Sequence, residues 1–138
     1  MLEMTLKGGD ELAAAFRRLD GEARGDALRK AVLPRAEATA DLARSKATGH
    51  TATSIRVETA EQDSEHIMLL IGTNVFHAPW EEFGIRPHVL YSSRRPTDAI
   101  HPGITRRPFL RPAMDERAEL NVYQIGVALG DAMERIGR

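Results

Sequence analysis

Apolar side chains recur along this chain with a period that changes from helical to alternating and back, and each change predicts an element. Leu12, Phe16 and Leu19 fall at i, i+4 and i+7, a single helical stripe, with Asp10 placed to cap it after Gly8 and Gly9. Gly21 and Gly25 predict a break, and Asp26 is placed to cap a second helix. Its face is Leu28, Val32, Ala36, Ala40, Ala43 and Ala47, small enough for close approach to a partner. Pro34 falls inside that pattern; proline removes a helix donor, which would kink or interrupt the helix near Leu33 or mark the first turn of a new segment, and helix is expected across it. Thr48-Gly49-His50-Thr51 ends the helix, glycine being suited to its left-handed C-terminal position. Residues 54–60 then alternate, with Ile55 and Val57 on one side. Residues 61–65 are polar and residues 66–73 nearly all apolar, so an antiparallel hairpin is expected.

Past the hairpin the pattern turns aromatic. Phe76, Trp80 and Phe83 share one face if a helical turn starts at Pro79, and Gly84 stops it. In a chain with 5% aromatics, Trp80 and Phe83 are expected to be buried. Residues 84–112 contain five of the seven prolines, which forbids regular structure through most of the segment. Loops of such length are uncommon inside a compact domain. Residues 89–91 and 99–100 are placed to pair as a short ribbon within it. Ala118, Val122, Ile125, Leu129, Met133 and Ile136 then repeat at helical spacing, an amphipathic helix of roughly 25 residues. The expected fold is α+β: one domain over residues 1–138 with N-terminal helices and a small, mostly antiparallel sheet. A long Pro/Arg-rich arm over 84–112 and a C-terminal amphipathic helix packed on the sheet complete it.

Composition narrows the function. Without cysteines, disulfides and thiolate metal sites are excluded and cytoplasmic assembly is the simpler expectation. The strongly apolar run at 67–71 is far shorter than the ~20 residues of a membrane helix, and no signal peptide is evident, so a soluble product is expected. The net charge of −1 hides an uneven distribution. Residues 51–83 sum to −5 and residues 84–112 to +5, so two complementary faces are available within or between molecules.

Catalytic and cofactor chemistry finds little footing. His50, His66, His77, His88 and His101 lie 11 or more residues apart, without the close pairs that put two ring nitrogens on one metal. Glu81 and Glu82 are adjacent, so helical geometry points them about 100° apart; one is expected to pack or pair and the other to be solvated. No phosphate loop or nucleophile elbow is present. No enzyme activity, cofactor, metal or small-molecule substrate is expected. Arg94, Arg95 and the other arginines of the arm could neutralise phosphates, with Tyr91 stacking, so a nucleic-acid-binding module is the alternative from another class.

Three motifs carry a family resemblance. Thr48-Gly49 followed by Ser54-Ile55 resembles the "TG-x-L-x-x-SI" stretch ahead of the sheet in phage neck and tail-completion proteins. The stretch from Phe76 to Gly84 resembles their "YAPYVEFGT" segment, and His101-Pro102-Gly103 with Pro108-Phe109-Leu110-Arg111-Pro112-Ala113 resembles their "HPG…PFLRPA" arm. The order is the family's, and the resemblance spans nearly the whole chain. Thr51 and Ile85 depart from it, standing where the family usually has leucine and threonine. The chain thus resembles the HK-ninety-seven gp-ten-like family of tail components of long-tailed phages, prophages and gene transfer agents.

That resemblance implies a non-enzymatic virion structural protein at the head–tail junction, assembled in the bacterial host cytoplasm. Its partners would be its own copies in a ring and the neighbouring connector or tail proteins, with non-specific proximity to DNA in the channel. A tail-terminator ring protein is the alternative within structural proteins. Since a ring needs two faces that match head to tail, a subunit interface is expected over Glu81, Glu82, Arg94, Arg95, Arg106, Arg107, Phe109 and Arg111, in which Arg106, Arg107 or Arg111 meets a neighbour's Glu81 or Glu82. Phe109 would be its apolar anchor, or else part of its own core. Trp80, Phe83, Gly84, Pro108 and Pro112 would shape the motifs.

Overall fold

The structure, a computed structural model, describes residues 9–91 and 99–136. The chain is α+β, with helices α1 (Gly9–Arg17), α2 (Gly21–Lys46), α3 (Gly49–Ser54), α4 (Ala78–Phe83) and α5 (Leu110–Ile136). Its strands are β1 (Arg56–Gln62), β2 (Ile67–Gly72), β3 (His88–Val89) and β4 (Ile100–His101), arranged as two separate two-stranded sheets. The chain divides into two compact units: residues up to 38 with 57–71 and 117 onward, and residues 39–56 with 72–116.

In the first unit, α1 starts one residue before the expected Asp10 cap, and Leu12, Phe16 and Leu19 are half-buried as their spacing predicts. Asp20, not Asp26, caps α2. Its Oδ1 accepts the Ala23 amide (2.9 Å) and its carbonyl accepts the Arg24 amide (3.0 Å). Asp26 instead pairs with Lys30 one turn on (2.6 Å). Helix α2 runs unbroken through Pro34, so the only certain local cost is the missing donor to the Lys30 carbonyl. Its buried positions in this unit are Gly25, Ala27, Ala31 and Ala36. Ala36 lies on the expected face, as do the buried Ala40 and Ala43 further along α2, while Ala27 and Ala31 each fall one residue before the expected Leu28 and Val32.

Strands β1 and β2 form the expected hairpin, and α5 packs on it. The Asp63 carboxylate closes the turn by accepting the amides of Glu65 and His66, both at 2.7 Å, while the Asp63 amide donates to the His66 carbonyl (2.9 Å). Those two donors hold the Asp63 carboxyl below its ordinary pKa. Arg24 reaches Glu65 (3.3 Å) and Arg29 reaches Gln62 (3.2 Å), tying α2 to the hairpin. Ile67, Leu69 and Ile71 point inward and are half-buried; Met68 and Leu70, on the other side of β2, are exposed. Ile55, expected in the first strand, precedes it and lies buried in the second unit.

The C-terminal helix is as long as its periodicity predicts, and half of the expected face is covered: Ile125, Leu129 and Met133 are half-buried, whereas Ala118, Val122 and Ile136 are exposed. Arg117, Asn121, Ala128 and Ala132 are half-buried beside them. Ala23, Ala27, Ala31, Ala128 and Ala132 line a half-open groove of about 260 Å³ in this unit, with the exposed Asp26, Lys30, Arg135 and Ile136 at its edge.

Candidate functional site

The second unit gathers the three motif stretches into one hydrogen-bonded cluster. The region after α2 was expected to be a simple helix end; it is a second short helix, α3, entered at Gly49. The Arg44 guanidinium reaches forward to the Ile55 carbonyl through Nε (3.0 Å) and Nη2 (2.7 Å), fixing where α3 ends. Ser54 Oγ meets both the Thr51 carbonyl and Thr73 Oγ1, and Ile55 beside it is buried.

Helix α4 is the turn predicted from Pro79, and Gly84 stops it as expected. The Gly84 amide bonds the Trp80 carbonyl (2.8 Å) with a φ of 74°, a conformation that disfavours any side chain. The aromatic face is a correction, however. Phe76, Trp80 and Phe83 are 78%, 42% and 69% exposed, and the buried residues of α4 are Ala78 and Glu82. Phe76 and Trp80 pack edge to face (5.4 Å) at the surface. The helix turns its charged side inward because polar partners wait there.

Those partners come from the other two motifs. Glu81 Oε1 accepts the Thr48 amide and hydroxyl, both at 2.8 Å, and the Glu81 carbonyl accepts the Arg107 amide (2.6 Å). Glu82 accepts three consecutive amides: Phe109 (2.7 Å), Leu110 (3.0 Å) and Arg111 (3.1 Å). These are orphan donors at the start of α5, so a carboxylate distant in sequence supplies the cap that no local residue provides. Burial pushes the Glu82 carboxyl up; the three amide donors and the Arg111 charge outweigh that and hold it below its ordinary pKa. Both glutamates are therefore engaged, where one was expected to be solvated.

Among the described residues, the Pro/Arg-rich arm forms a folded ribbon from Ile85 to Ile104. Ile85 and Ile104 exchange backbone bonds (2.9 Å each way), His88 pairs with His101 and Val89 with Ile100, the pairing expected near that position. The His88 and His101 rings stack with centroids 5.0 Å apart. Gly103, at φ 83°, lets the Ile85 carbonyl approach where a Cβ would collide. Pro108 precedes the buried Phe109, and Pro112 falls in the first turn of α5, which begins at Leu110; the non-helical arm thus ends before 112.

Phe109 is 1% exposed and belongs to its own core, so it is not free to anchor a neighbour. Arg107 and Arg111 meet Glu81 and Glu82 within one chain, through backbone amides. Arg106 and Arg107 are exposed, while Arg94 and Arg95 lie outside the described residues. Two open grooves flank the cluster. One, about 630 Å³, is lined by Thr48, His50, His77, Trp80, Glu81 and Arg107 among others. The other, about 680 Å³, is mostly apolar, with Val75, Phe76, Pro79, Phe83, Leu110 and Met114 along it. Among the described residues no group of three His, Asp or Glu is placed to hold a metal ion, and no helix is long and apolar enough to cross a membrane. Comparison of the chain with protein-family models, with curated proteins and with solved structures finds no match.

Proposed function

We propose that this chain is a non-enzymatic structural subunit of a phage-type head–tail junction, a neck or tail-completion component that works through contacts between copies. The observation that carries the reading is the convergence of the three resembling motifs on Glu81 and Glu82. Thr48 from the first motif, the two glutamates from the second and residues 107–111 from the third are held together by six hydrogen bonds to those glutamates. Motifs far apart in sequence that close on one cluster describe a scaffold, here one that fixes a ribbon and the start of a helix.

What the scaffold presents is apolar surface. Phe76, Trp80, Phe83, Val89, Leu90, Tyr91, Ile100, Ile104 and Met114 of this unit are all at least 40% exposed. Single exposed apolar residues are ordinary, but a group this dense marks a surface that is covered in use. A subunit of a ring has that need on two faces.

Electron microscopy of particles made without this product tests the reading. Filled heads and tails should accumulate unjoined, and the wild-type chain supplied in trans should restore joined particles. Joined, infectious particles in its absence would end the proposal.

A further inference from the structure

From the stacked histidine pair inside the ribbon, we infer that the β3–β4 ribbon is a proton-sensitive latch. It is closed while at most one of the His88 and His101 rings is charged, and it opens when both are. The latch is built from the ribbon's own bonds and stands apart from the structural role proposed above.

His88 and His101 face each other in the antiparallel register, and their rings stack with centroids 5.0 Å apart and planes 24° from parallel. Bonds of opposite sense hold the two rings. His88 Nδ1 meets the Arg86 carbonyl (3.0 Å), which can only accept, so that nitrogen carries the hydrogen. His101 Nδ1 receives the Gly103 amide (3.0 Å), which can only donate, so that nitrogen keeps its lone pair and Nε2 carries the hydrogen. Protonation therefore acts unequally on them. His88 takes a proton on Nε2 and keeps its bond. His101 can take one only on Nδ1, which sets one N–H against another and strips the Gly103 amide of its acceptor.

That loss falls where the ribbon is tightest. Gly103, at φ 83°, lets the Ile85 carbonyl come too close for any side chain, and the next residue makes the Ile104–Ile85 bridge. Charge on both rings adds repulsion across the 5.0 Å stack. The rings are held by β3 and β4, and the charged residues of 85–91 and 99–106 are Arg86 and Arg106, both positive. Among the described residues neither ring has a carboxylate in ion-pair reach; Arg94, Arg95 and Asp98 lie outside those residues. The closed ribbon thus binds fewer protons than the open one. Its stability falls as pH drops through the ordinary histidine range, about 6.5.

Amide hydrogen exchange read by NMR tests the latch. From about pH 7.5 to about pH 5.5, a window chosen to span histidine titration, the protection of Gly103 and Ile104 should fall at least about tenfold after correction for intrinsic exchange. The amides of α2 should keep theirs. Glu82 and Asp63, both held below their ordinary values, stay ionised throughout that window. His101→Asn places a side-chain oxygen before an amide two residues on and cannot be charged, so its protection should be the same at both ends. His88→Phe keeps an uncharged stacking ring and should lessen the fall. Imidazole nitrogen shifts give a check that needs no variant: at the upper pH His101 should be the Nε2–H form and His88 the Nδ1–H form. Unchanged wild-type protection, an undiminished fall in either variant, or the opposite form at either ring would overturn the latch.

Discussion

The two compact units of this chain reach order by opposite routes. The first has the long regular elements, most of α2, the β1–β2 hairpin and the body of α5, yet among the described residues its buried apolar side chains are alanines only. Its larger side chains are at best half-buried, as Phe16 and Leu69 are, or exposed, as Leu70 and Tyr123 are, and it is tied by surface pairs such as Arg24–Glu65. The second is short helices, prolines and a ribbon, yet it buries Phe109 and Ile55 and fixes its turns with named acceptors. Exposed ion pairs contribute little, whereas a filled core position and a satisfied buried carboxylate contribute several kcal/mol. Regular secondary structure is therefore a poor guide to where this molecule is held.

The sharpest way to break the contrast is Phe109→Ala. Removing the largest fully buried side chain should cost about 4 kcal/mol in urea unfolding. A loss under about 1 kcal/mol would mean the second unit has no core of its own. Next comes Glu82→Ala, which orphans three amides at the start of α5 and should cost about 3 kcal/mol.

Acid titrates the same group. Because the Glu82 carboxyl is held below its ordinary value of 4.5, its stabilisation is fully present above that pH and is lost as pH falls through the lowered folded value. Wild type should therefore lose stability below about pH 4.5 more steeply than Glu82→Gln, compared by urea midpoints across that range. Parallel curves would show that the carboxylate charge contributes nothing.

Much of this arrangement was legible in the chain, and the misreadings share a cause. The hairpin, the Pro79–Gly84 turn, the ribbon pairing and the length of the last helix follow from local signals: alternation, proline, glycine and a repeat. Glu82 was missed as a cap because its partners lie 27 to 29 residues away and no periodicity connects them. A signal existed, since no Ser, Thr, Asp or Asn stands directly before Leu110, so α5 had to borrow an acceptor. Trp80 and Phe83 were misplaced because burial was inferred from hydrophobicity, while α4 turned inward the side with hydrogen-bond partners. Asp20 was passed over for Asp26 because Gly25 resembled a break and is a buried helix position instead.

Alanine marks the remaining difference between the units, and enlarging it should give opposite signs. Ala40, in the second unit, is fully buried, so Ala40→Leu must displace packed neighbours and should cost about 2 kcal/mol. A neutral result there would mean that close packing around α2 is not specified.

Ala132, in the first unit, lines the half-open groove of about 260 Å³ with Ala27 and Ala31. Ala132→Leu adds three carbons where space already exists, at a helix position that leucine tolerates almost as well as alanine. Filling such a gap should stabilise by about 1 kcal/mol, read as a rise of roughly 3 °C in the thermal midpoint for a chain of this length. If the same change destabilised the protein as Ala40→Leu does, the groove would be closed in solution. The first unit would then be as tightly packed as the second, and the contrast between them would vanish.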